Sequence, residues 1–125
     1  MANNDKAVDI SEKDFEKTIN TKDKQAVVVD FYAEWCMPCL MIAPVIEELA
    51  SEIKAIKFAR VNVDENKALS GKFNITSIPC LIVFKDGKEV ERITGALPEE
   101  VLEEKLKKHL KSKKQRATHL ERCGL

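Results

Sequence analysis

The sequence predicts an α/β protein in which a central mixed β-sheet is flanked by helices on both faces. Residues 26–32 (AVVVDFY) form a nearly continuous apolar, β-branched run, which is typical of a strand covered on both faces in a parallel sheet. Residues 39–54 repeat apolar side chains at the spacing of an amphipathic helix. Two apolar runs joined at Asp86-Gly87 predict a hairpin, which adds an antiparallel strand to the sheet.

The N-terminal half of the chain alternates strands and helices. A short strand is expected near Val8, and Ser11 marks the start of a helix whose apolar side chains are Phe15 and Ile19. The central strand follows. The amphipathic helix after it contains Pro44, which removes a backbone donor and predicts a kink.

The C-terminal half completes a β-α-β unit before the sheet becomes antiparallel. Apolar and polar residues alternate over 56–64, which predicts a strand, and a short helix is expected at 65–73. The hairpin pairs residues 80–84 with residues 89–94. Pro98 begins the last helix, whose apolar stripe repeats at a spacing of four. That stripe consists of Leu102, Leu106 and Leu110. The predicted order is therefore β-α-β-α-β-α-β-β-α.

The length of 125 residues fits a single domain, which we expect at residues 1–110. Residues 111–125 (KSKKQRATHLERCGL) carry five cations against Glu121 and form a basic tail. A frayed helical extension, a disordered arm and vector-derived residues all fit this tail. Because the formal net charge of the chain is zero, the remainder is mildly acidic, which argues against nucleic acid as the main partner.

The composition predicts a soluble protein of a reducing compartment. The longest apolar run, at residues 40–46, is far shorter than the ~18 residues that a membrane span needs, so no membrane association is expected. Residues 1–10 lack the apolar core of a secretory signal peptide. We therefore expect a cytoplasmic location, and nothing in the sequence demands more than a monomer.

Four cysteines are too few for a disulfide scaffold of this length, and only two of them lie close together. Cys36 and Cys39 form a C-x-x-C pair, whereas Cys80 and Cys123 stand alone. A single C-x-x-C beside a β-α-β pattern in a cytosolic protein indicates a redox motif, because a structural zinc site normally needs a second pair.

The position of this pair predicts its chemistry. Cys36 follows the central strand and begins a helix, so its sulfur should face the free N–H groups of the first turn, which favour a thiolate. Pro38 has the fixed φ suited to that turn, and Cys39 lies on the same helix face as Cys36. Cys36 should attack a substrate disulfide, and Cys39 should resolve the mixed disulfide. The predicted reaction is thiol–disulfide exchange, for which no cofactor is expected.

The cysteine pair lies within a longer pattern of motifs. These are VVDFYAEWCMPC at 28–39, MIAP at 41–44, VNVD at 61–64, ITSIP at 75–79, FKDG at 84–87 and Gly95. The pattern extends in chain order from about residue 5 to about residue 110 and resembles the thioredoxin family. The resemblance implies the thioredoxin fold and a protein disulfide reductase. Its partners would be disulfide-containing client proteins and a thioredoxin reductase, either NADPH- or ferredoxin-linked.

The resemblance also implies roles for residues outside the cysteine pair. Pro79 would be cis and face the disulfide, and the Ile78 backbone would pair with an extended substrate segment beside Gly95. Asp30 would be a buried base near the resolving cysteine, with Arg60 as the basic neighbour that modulates it. Without the resemblance, a trans proline at a strand edge would be the preferred interpretation of Pro79. An exposed strand-end carboxylate is the alternative for Asp30, although its apolar neighbours leave no obvious polar face, and a snorkelling surface cation is the alternative for Arg60.

The residues around the pair are expected to form a substrate-binding rim. Trp35, next to Cys36, should face the substrate together with Met37 and Pro38. Met37 stands where thioredoxins usually have Gly, and Leu40 stands where a Lys or Arg is common. Both departures make the rim more apolar. A cation near the pair would stabilise the thiolate, and Leu40 supplies none. The family's usual reduction potential and client preference therefore do not carry over to this chain.

Cys80 replaces the usual Thr after the cis proline of the family. A small buried hydrophobe is its simplest interpretation, with a third redox thiol or a metal ligand as the alternatives. Together with Cys36 and Cys39 it could supply three thiolates to zinc or an iron–sulfur cluster, but no fourth ligand is evident, and no metal site is predicted. No role is predicted for His109 or His119.

Two functions compete with the reductase: a redox-independent protein-binding module and a metal or iron–sulfur carrier.

Overall fold

The computed structural model describes residues 7–21 and 24–110. In chain order its elements are β1 (Val8–Asp9), α1 (Glu12–Ile19), β2 (Val27–Tyr32), α2 (Met37–Glu52), β3 (Lys57–Asn62), α3 (Lys67–Lys72), β4 (Cys80–Lys85), β5 (Lys88–Thr94) and α4 (Glu99–Lys107). The α/β class and the predicted order of elements are confirmed. The expectations for residues 1–6 and for the tail at 111–125, with His119 and Cys123, lie outside the described residues. Among the helices described, none has the length and apolar character needed to cross a membrane.

β2 lies at the centre of the sheet, as its apolar run predicts. The strand order is β1-β3-β2-β4-β5, in which β2 pairs with β3 in parallel and with β4 antiparallel. Five of the six residues of β2 are buried, because helices cover both faces of the sheet. β4 and β5 form the predicted hairpin, and its turn residues Asp86 and Gly87 both have positive φ, as a type I′ turn requires.

Successive residues of β2 enter two separate apolar cores. Val28 belongs to a core with residues of α2 and α4, such as Ile46 and Leu106. Val29 belongs to a core with residues of α1 and α3. Since side chains along a strand alternate between its faces, α2 and α4 cover one face of the sheet and α1 and α3 cover the other. The same alternation places Asp30 on the face that α2 covers.

Helix α2 begins earlier than its apolar repeat indicates. The repeat starts at residue 39, but the helix starts at Met37 and has Cys36 as its N-cap. The repeat marks only the turns that face the core, whereas the first turn carries exposed side chains. The helix continues through Pro44, and the kink expected there stays a prediction. Both cysteines therefore belong to the N-terminal end of α2.

The last helix closes the core on the α2 side. Pro98 is its N-cap, and its stripe of Leu102 and Leu106 is fully buried. Leu110 lies beyond the helix end and is also buried. The His109 Nε2 atom contacts a carboxylate oxygen of Glu91 on β5 at 2.6 Å. The chain thus stays attached to the sheet as far as residue 110.

Candidate redox site

The first turn of α2 holds a disulfide between Cys36 and Cys39. The two Cα atoms lie 5.2 Å apart, as residues one helical turn apart do. Both cysteines are buried, with 4% of Cys36 and 1% of Cys39 exposed. They cluster with Ala33, and the side chains that close around them are Tyr32, Val63 and Ile78. The C-x-x-C spacing therefore brings the two sulfurs together just after the end of the central strand.

The helix N-terminus supplies a hydrogen-bond donor to the sulfur of Cys36. Its Sγ atom accepts a hydrogen bond from the Cys39 backbone N–H at 3.2 Å. Pro38, exposed in the same turn, has no N–H group to offer. This donor and the positive end of the helix dipole both stabilise negative charge at the sulfur. In the dithiol form of the pair they favour a thiolate at Cys36.

A loop with a cis proline lies against the disulfide. The Ile78–Pro79 peptide bond is cis, and the Ile78 carbonyl oxygen lies 3.9 Å from Cys36 Sγ. The Pro79 carbonyl oxygen accepts a hydrogen bond from the Gly95 N–H at 2.9 Å, which ties the loop to the chain just after β5. The alternative of a trans proline is wrong. Ile78 thus lies beside Cys36, and Gly95 is held against Pro79, the next residue of the same loop.

Asp30 is a buried carboxylate on the sheet face that α2 covers. Its side chain is 1% exposed, and its Oδ2 atom accepts a hydrogen bond from Arg60 Nε at 3.2 Å. Among the described residues, Asp30 Oδ1 has no hydrogen-bond partner. Desolvation raises the pKa of Asp30 from 3.8 to about 6, and the Arg60 cation only partly offsets that rise. The alternative of an exposed strand-end residue is therefore wrong.

Arg60 pairs with this carboxylate, as the resemblance implies, and it also contacts Tyr32. Its guanidinium carbon lies 3.9 Å from the centre of the Tyr32 ring, and the Tyr32 hydroxyl donates a hydrogen bond to Asp9 Oδ1 at 2.6 Å. Neither Tyr32 nor Asp9 was predicted from the sequence to lie in this site. A signal for Tyr32 was present, because a residue two positions after Asp30 lies on the same face of a strand.

Large apolar side chains are exposed around the disulfide. The exposed fractions are 69% for Trp35, 66% for Met37, 51% for Leu40 and 68% for Met41. The Trp35 indole N–H donates a hydrogen bond to Asp64 Oδ2 at 2.7 Å, which fixes one edge of the ring. Met41 was not predicted in this rim, although it lies one helical turn after Met37. These four apolar side chains, which we call the apolar rim, are available to a binding partner.

Cys80 is a free thiol buried at the start of β4. Burial raises the pKa of this thiol, and the Arg92 guanidinium opposes that rise only in part. The neutral thiol therefore packs as a small apolar side chain, which is the simplest interpretation of the sequence. Within the part of the chain that the structure describes, Cys36, Cys39 and Cys80 do not bring their sulfurs close enough together to share a metal ion.

A cysteine pair at the start of a helix, directly after a central strand and against a cis proline, defines a thiol–disulfide oxidoreductase of the thioredoxin fold. The thioredoxin family model matches residues 6–108 of the chain. The chain is 44% identical over 107 residues to a thioredoxin of Chlorobaculum thiosulfatiphilum. The aligned residues cover 84% of this chain and 97% of that relative.

Solved structures agree with this comparison. The fold is similar to that of Fasciola hepatica thioredoxin, with a TM-score of 0.76 and 44% identity over 82% of this chain and 98% of that one. It is also similar to a mutant thioredoxin of Halobacterium salinarum, with a TM-score of 0.79 and 32% identity over 88% of this chain and 96% of that one. The chain belongs to the thioredoxin family.

Family membership and the cysteine pair together make this protein a protein disulfide reductase. It acts on client proteins that contain disulfides, and a reductase partner returns it to the dithiol form. The Cys36–Cys39 disulfide in the structure is the oxidised form of the pair, which is the product of client reduction.

Proposed function

We propose that Cys36 is the attacking thiolate of this reductase and that Cys39 is the resolving thiol. The Cys36 thiolate attacks one sulfur of the client disulfide, forms a mixed disulfide and expels the other client sulfur as a thiolate. Cys39, once deprotonated, attacks the Cys36 sulfur and releases the second client thiolate. The client gains two electrons, and the cysteine pair loses two as it becomes a disulfide.

The hydrogen bond between the Cys39 N–H and Cys36 Sγ carries this assignment. It favours negative charge on Cys36, whereas Cys39 is the more buried of the two cysteines. The sulfur that bears the charge is the better nucleophile toward an incoming client. Cys39 reacts with the mixed disulfide only after Cys36 has formed it.

Asp30 is the base that accepts the Cys39 proton during resolution. Its carboxyl group lies on the face of the sheet that α2 covers, and its unpartnered Oδ1 leaves a lone pair for the proton. With a pKa raised to about 6, the group can accept and release a proton near neutral pH. Arg60 modulates this base through its ion pair at 3.2 Å.

Clients bind in an extended form beside Cys36. The residues that contact them are Trp35, Met37 and Pro38 on one side and Ile78, Pro79 and Gly95 on the other. Because Met37 and Leu40 add apolar area to the rim, clients whose disulfide is flanked by apolar residues gain most from contact with it.

The reductase partner is a thioredoxin reductase that takes electrons from NADPH or from ferredoxin, and the protein works in the cytoplasm as a monomer. Residues 1–110 form the working domain, with the basic tail at 111–125 outside it. The related thioredoxins support the reductase partner, and a buried free thiol at Cys80 suits a reducing compartment. Recycling assays with each type of reductase distinguish the two electron donors.

Trapping experiments test the roles of the two cysteines. Reduced Cys39→Ser should accumulate mixed disulfides with insulin on non-reducing gels, because Cys36 can attack but cannot be released. Cys36→Ser should accumulate none. Cys80→Ser is the matched control and should leave no more trapped client than the unmodified chain. Trapped client in Cys36→Ser alone would reverse the two roles.

A further inference from the structure

Arg60 lies between two carboxylates in the sheet. In the strand order β1-β3-β2, Asp9 of β1 and Asp30 of β2 are both register partners of Arg60 on β3. Register partners on neighbouring strands have their side chains on the same face, so both carboxylates are within reach of the guanidinium. The Nε atom of Arg60 pairs with the buried Asp30 at 3.2 Å, although Asp9 is exposed.

Asp9 would be the easier partner for a cation. It is exposed and lines an open cleft of about 610 Å³ together with Tyr32, so a pair between Asp9 and Arg60 would leave the carboxylate in contact with water. A pair with Asp30 draws the guanidinium toward a buried strand, where desolvation opposes it. A contact that engages Asp9 or supports the guanidinium therefore favours the observed pairing.

Tyr32 supplies that contact in two ways. Its hydroxyl donates a hydrogen bond to Asp9 Oδ1 at 2.6 Å, and its ring stacks on the Arg60 guanidinium at 3.9 Å. Desolvation and the bond to Asp9 raise the pKa of Tyr32 to about 12, so the hydroxyl remains a donor at neutral pH. The hydroxyl thus occupies the competing carboxylate, and the ring gives the cation a surface to lie on.

We propose that Tyr32 is a positioning residue for Asp30: by binding Asp9 with its hydroxyl and Arg60 with its ring, it directs the Arg60 cation to the buried carboxylate. The inference rests on the proposed role of Asp30 as the base for Cys39. The Arg60 cation lowers the pKa of Asp30 against desolvation. Without Tyr32 in place, Asp30 would hold its proton to higher pH, and resolution would require higher pH as well.

Several charged and titratable groups near Asp30 and Tyr32 affect a titration of Asp30. The charged groups that act on Asp30 and Tyr32 are Asp9 of β1, Arg60 of β3 and Glu65 after β3. Cys80 of β4 interacts electrostatically with Asp30 from the opposite face of the sheet, because it belongs to the core that α1 and α3 cover. Cys39, the proposed proton donor, lies on α2, which covers the face of Asp30. Burial raises the pKa of the Cys80 thiol, and in the oxidised protein Cys39 does not titrate. The carboxyl group of Asp30 can therefore be followed by ¹³C NMR in the oxidised protein without a cysteine titration from the pair.

Tyr32→Phe removes the hydroxyl and keeps the ring. Asp9 then loses its donor and competes for Arg60, so the pKa of Asp30 should rise by about 0.5 or more. Thr18→Val is the matched control, because it removes a hydroxyl that donates to Asp14 O at 2.8 Å in α1, on the opposite face of the sheet. An unchanged or lowered pKa of Asp30 in Tyr32→Phe would overturn the proposal.

A double variant tests the competition itself. In the Asp9→Asn background the rival charge is absent, so adding Tyr32→Phe should leave the pKa of Asp30 nearly unchanged. Asp9→Asn alone should lower that pKa, since the charge of Asp9 raises it. If Tyr32→Phe raises the pKa equally with and without Asp9, a general loosening of the structure explains the effect, and the positioning role is wrong.

The pH profile of resolution separates this inference from the proposed base. A rise of 0.5 in the pKa of Asp30 lowers its ionised fraction at pH 6 by roughly twofold and leaves it nearly unchanged at pH 8. Stopped-flow release of reduced client from Tyr32→Phe should show that pattern. A shifted pKa with an unchanged resolution profile supports the positioning by Tyr32 and refutes Asp30 as the base. An unshifted pKa refutes the positioning alone.

Discussion

Asp30 is an ionisable residue between two apolar residues, Val29 and Phe31, in a buried strand. Its removal from water raises its pKa to about 6, and the cation of Arg60 only partly offsets this. A group that titrates near neutral pH suits acid–base catalysis, but a charge held in such a place lowers the stability of the fold. If Asp30 is the base that we propose, stability and activity should respond in opposite directions to its removal.

We predict that Asp30→Ala makes the protein more stable at pH 7, because it removes a charge penalty of about 2–3 kcal/mol, which is roughly the free energy of a pKa raised from 3.8 to about 6. The folded state holds this proton more tightly than the unfolded state. The penalty is therefore small below pH 3.8, grows as the pH rises to 6, and persists at neutral pH. Chemical denaturation of both proteins at pH 4 and pH 7 measures it.

The comparison between the two pH values isolates the charge. The free energy lost with the packing of the side chain is the same at both pH values. The gain in the free energy of unfolding from Asp30→Ala should therefore be larger at pH 7 than at pH 4. The same variant should resolve mixed disulfides more slowly between pH 6 and pH 8. A gain that does not grow with pH contradicts the raised pKa, and an unchanged rate contradicts the role as base.

At the scale of the elements, the β4–β5 hairpin depends on backbone geometry that few residues adopt. Asp86 has a φ of 55° and Gly87 a φ of 75°, and these values give the turn the twist of the flanking strands. Gly87 also packs against the side chain of Asn20, the C-cap residue of α1. The turn therefore joins two elements that are far apart in sequence, and the Asp-Gly signal predicted only the turn.

We predict that Gly87→Ala destabilises the protein by about 1–2 kcal/mol, because a Cβ atom would overlap Asn20 and the residue would keep a positive φ. Gly71→Ala is the matched control. Gly71 lies inside α3, and no atom would lie within 4 Å of an added Cβ, so this change should stabilise by about 0.5–1 kcal/mol. Urea denaturation of both variants checks the pair, and equal effects would exclude the contact with Asn20 as the cause.

Across the chain, local patterns in the sequence predicted the helices and strands. The register between strands that are far apart in sequence was not predicted. The apolar run of β2 predicted the central strand, and the C-x-x-C spacing predicted the redox pair. The expectations for Asp30, Arg60 and Pro79 came from the family resemblance. The contact of Tyr32 with Asp9 could not be predicted, because it depends on β1, a strand of two residues that pairs with β3. No periodicity can emerge from so short a strand, so the position of Asp9 was fixed only by the fold.

We predict that a chain ending at Leu110 keeps the melting temperature and the insulin-reduction rate of the full chain. The buried leucines of the C-terminal segment end at that residue, with 0% of Leu102, 0% of Leu106 and 5% of Leu110 exposed. The truncation also removes Cys123, so the disulfide-linked dimers expected of the full chain in air should disappear on non-reducing gels. Cys123→Ser in the full chain is the control that separates loss of the thiol from loss of the tail. Dimers that persist in both proteins would implicate Cys36, Cys39 or Cys80, and a lower melting temperature in the truncated chain alone would show that residues 111–125 contribute to the fold.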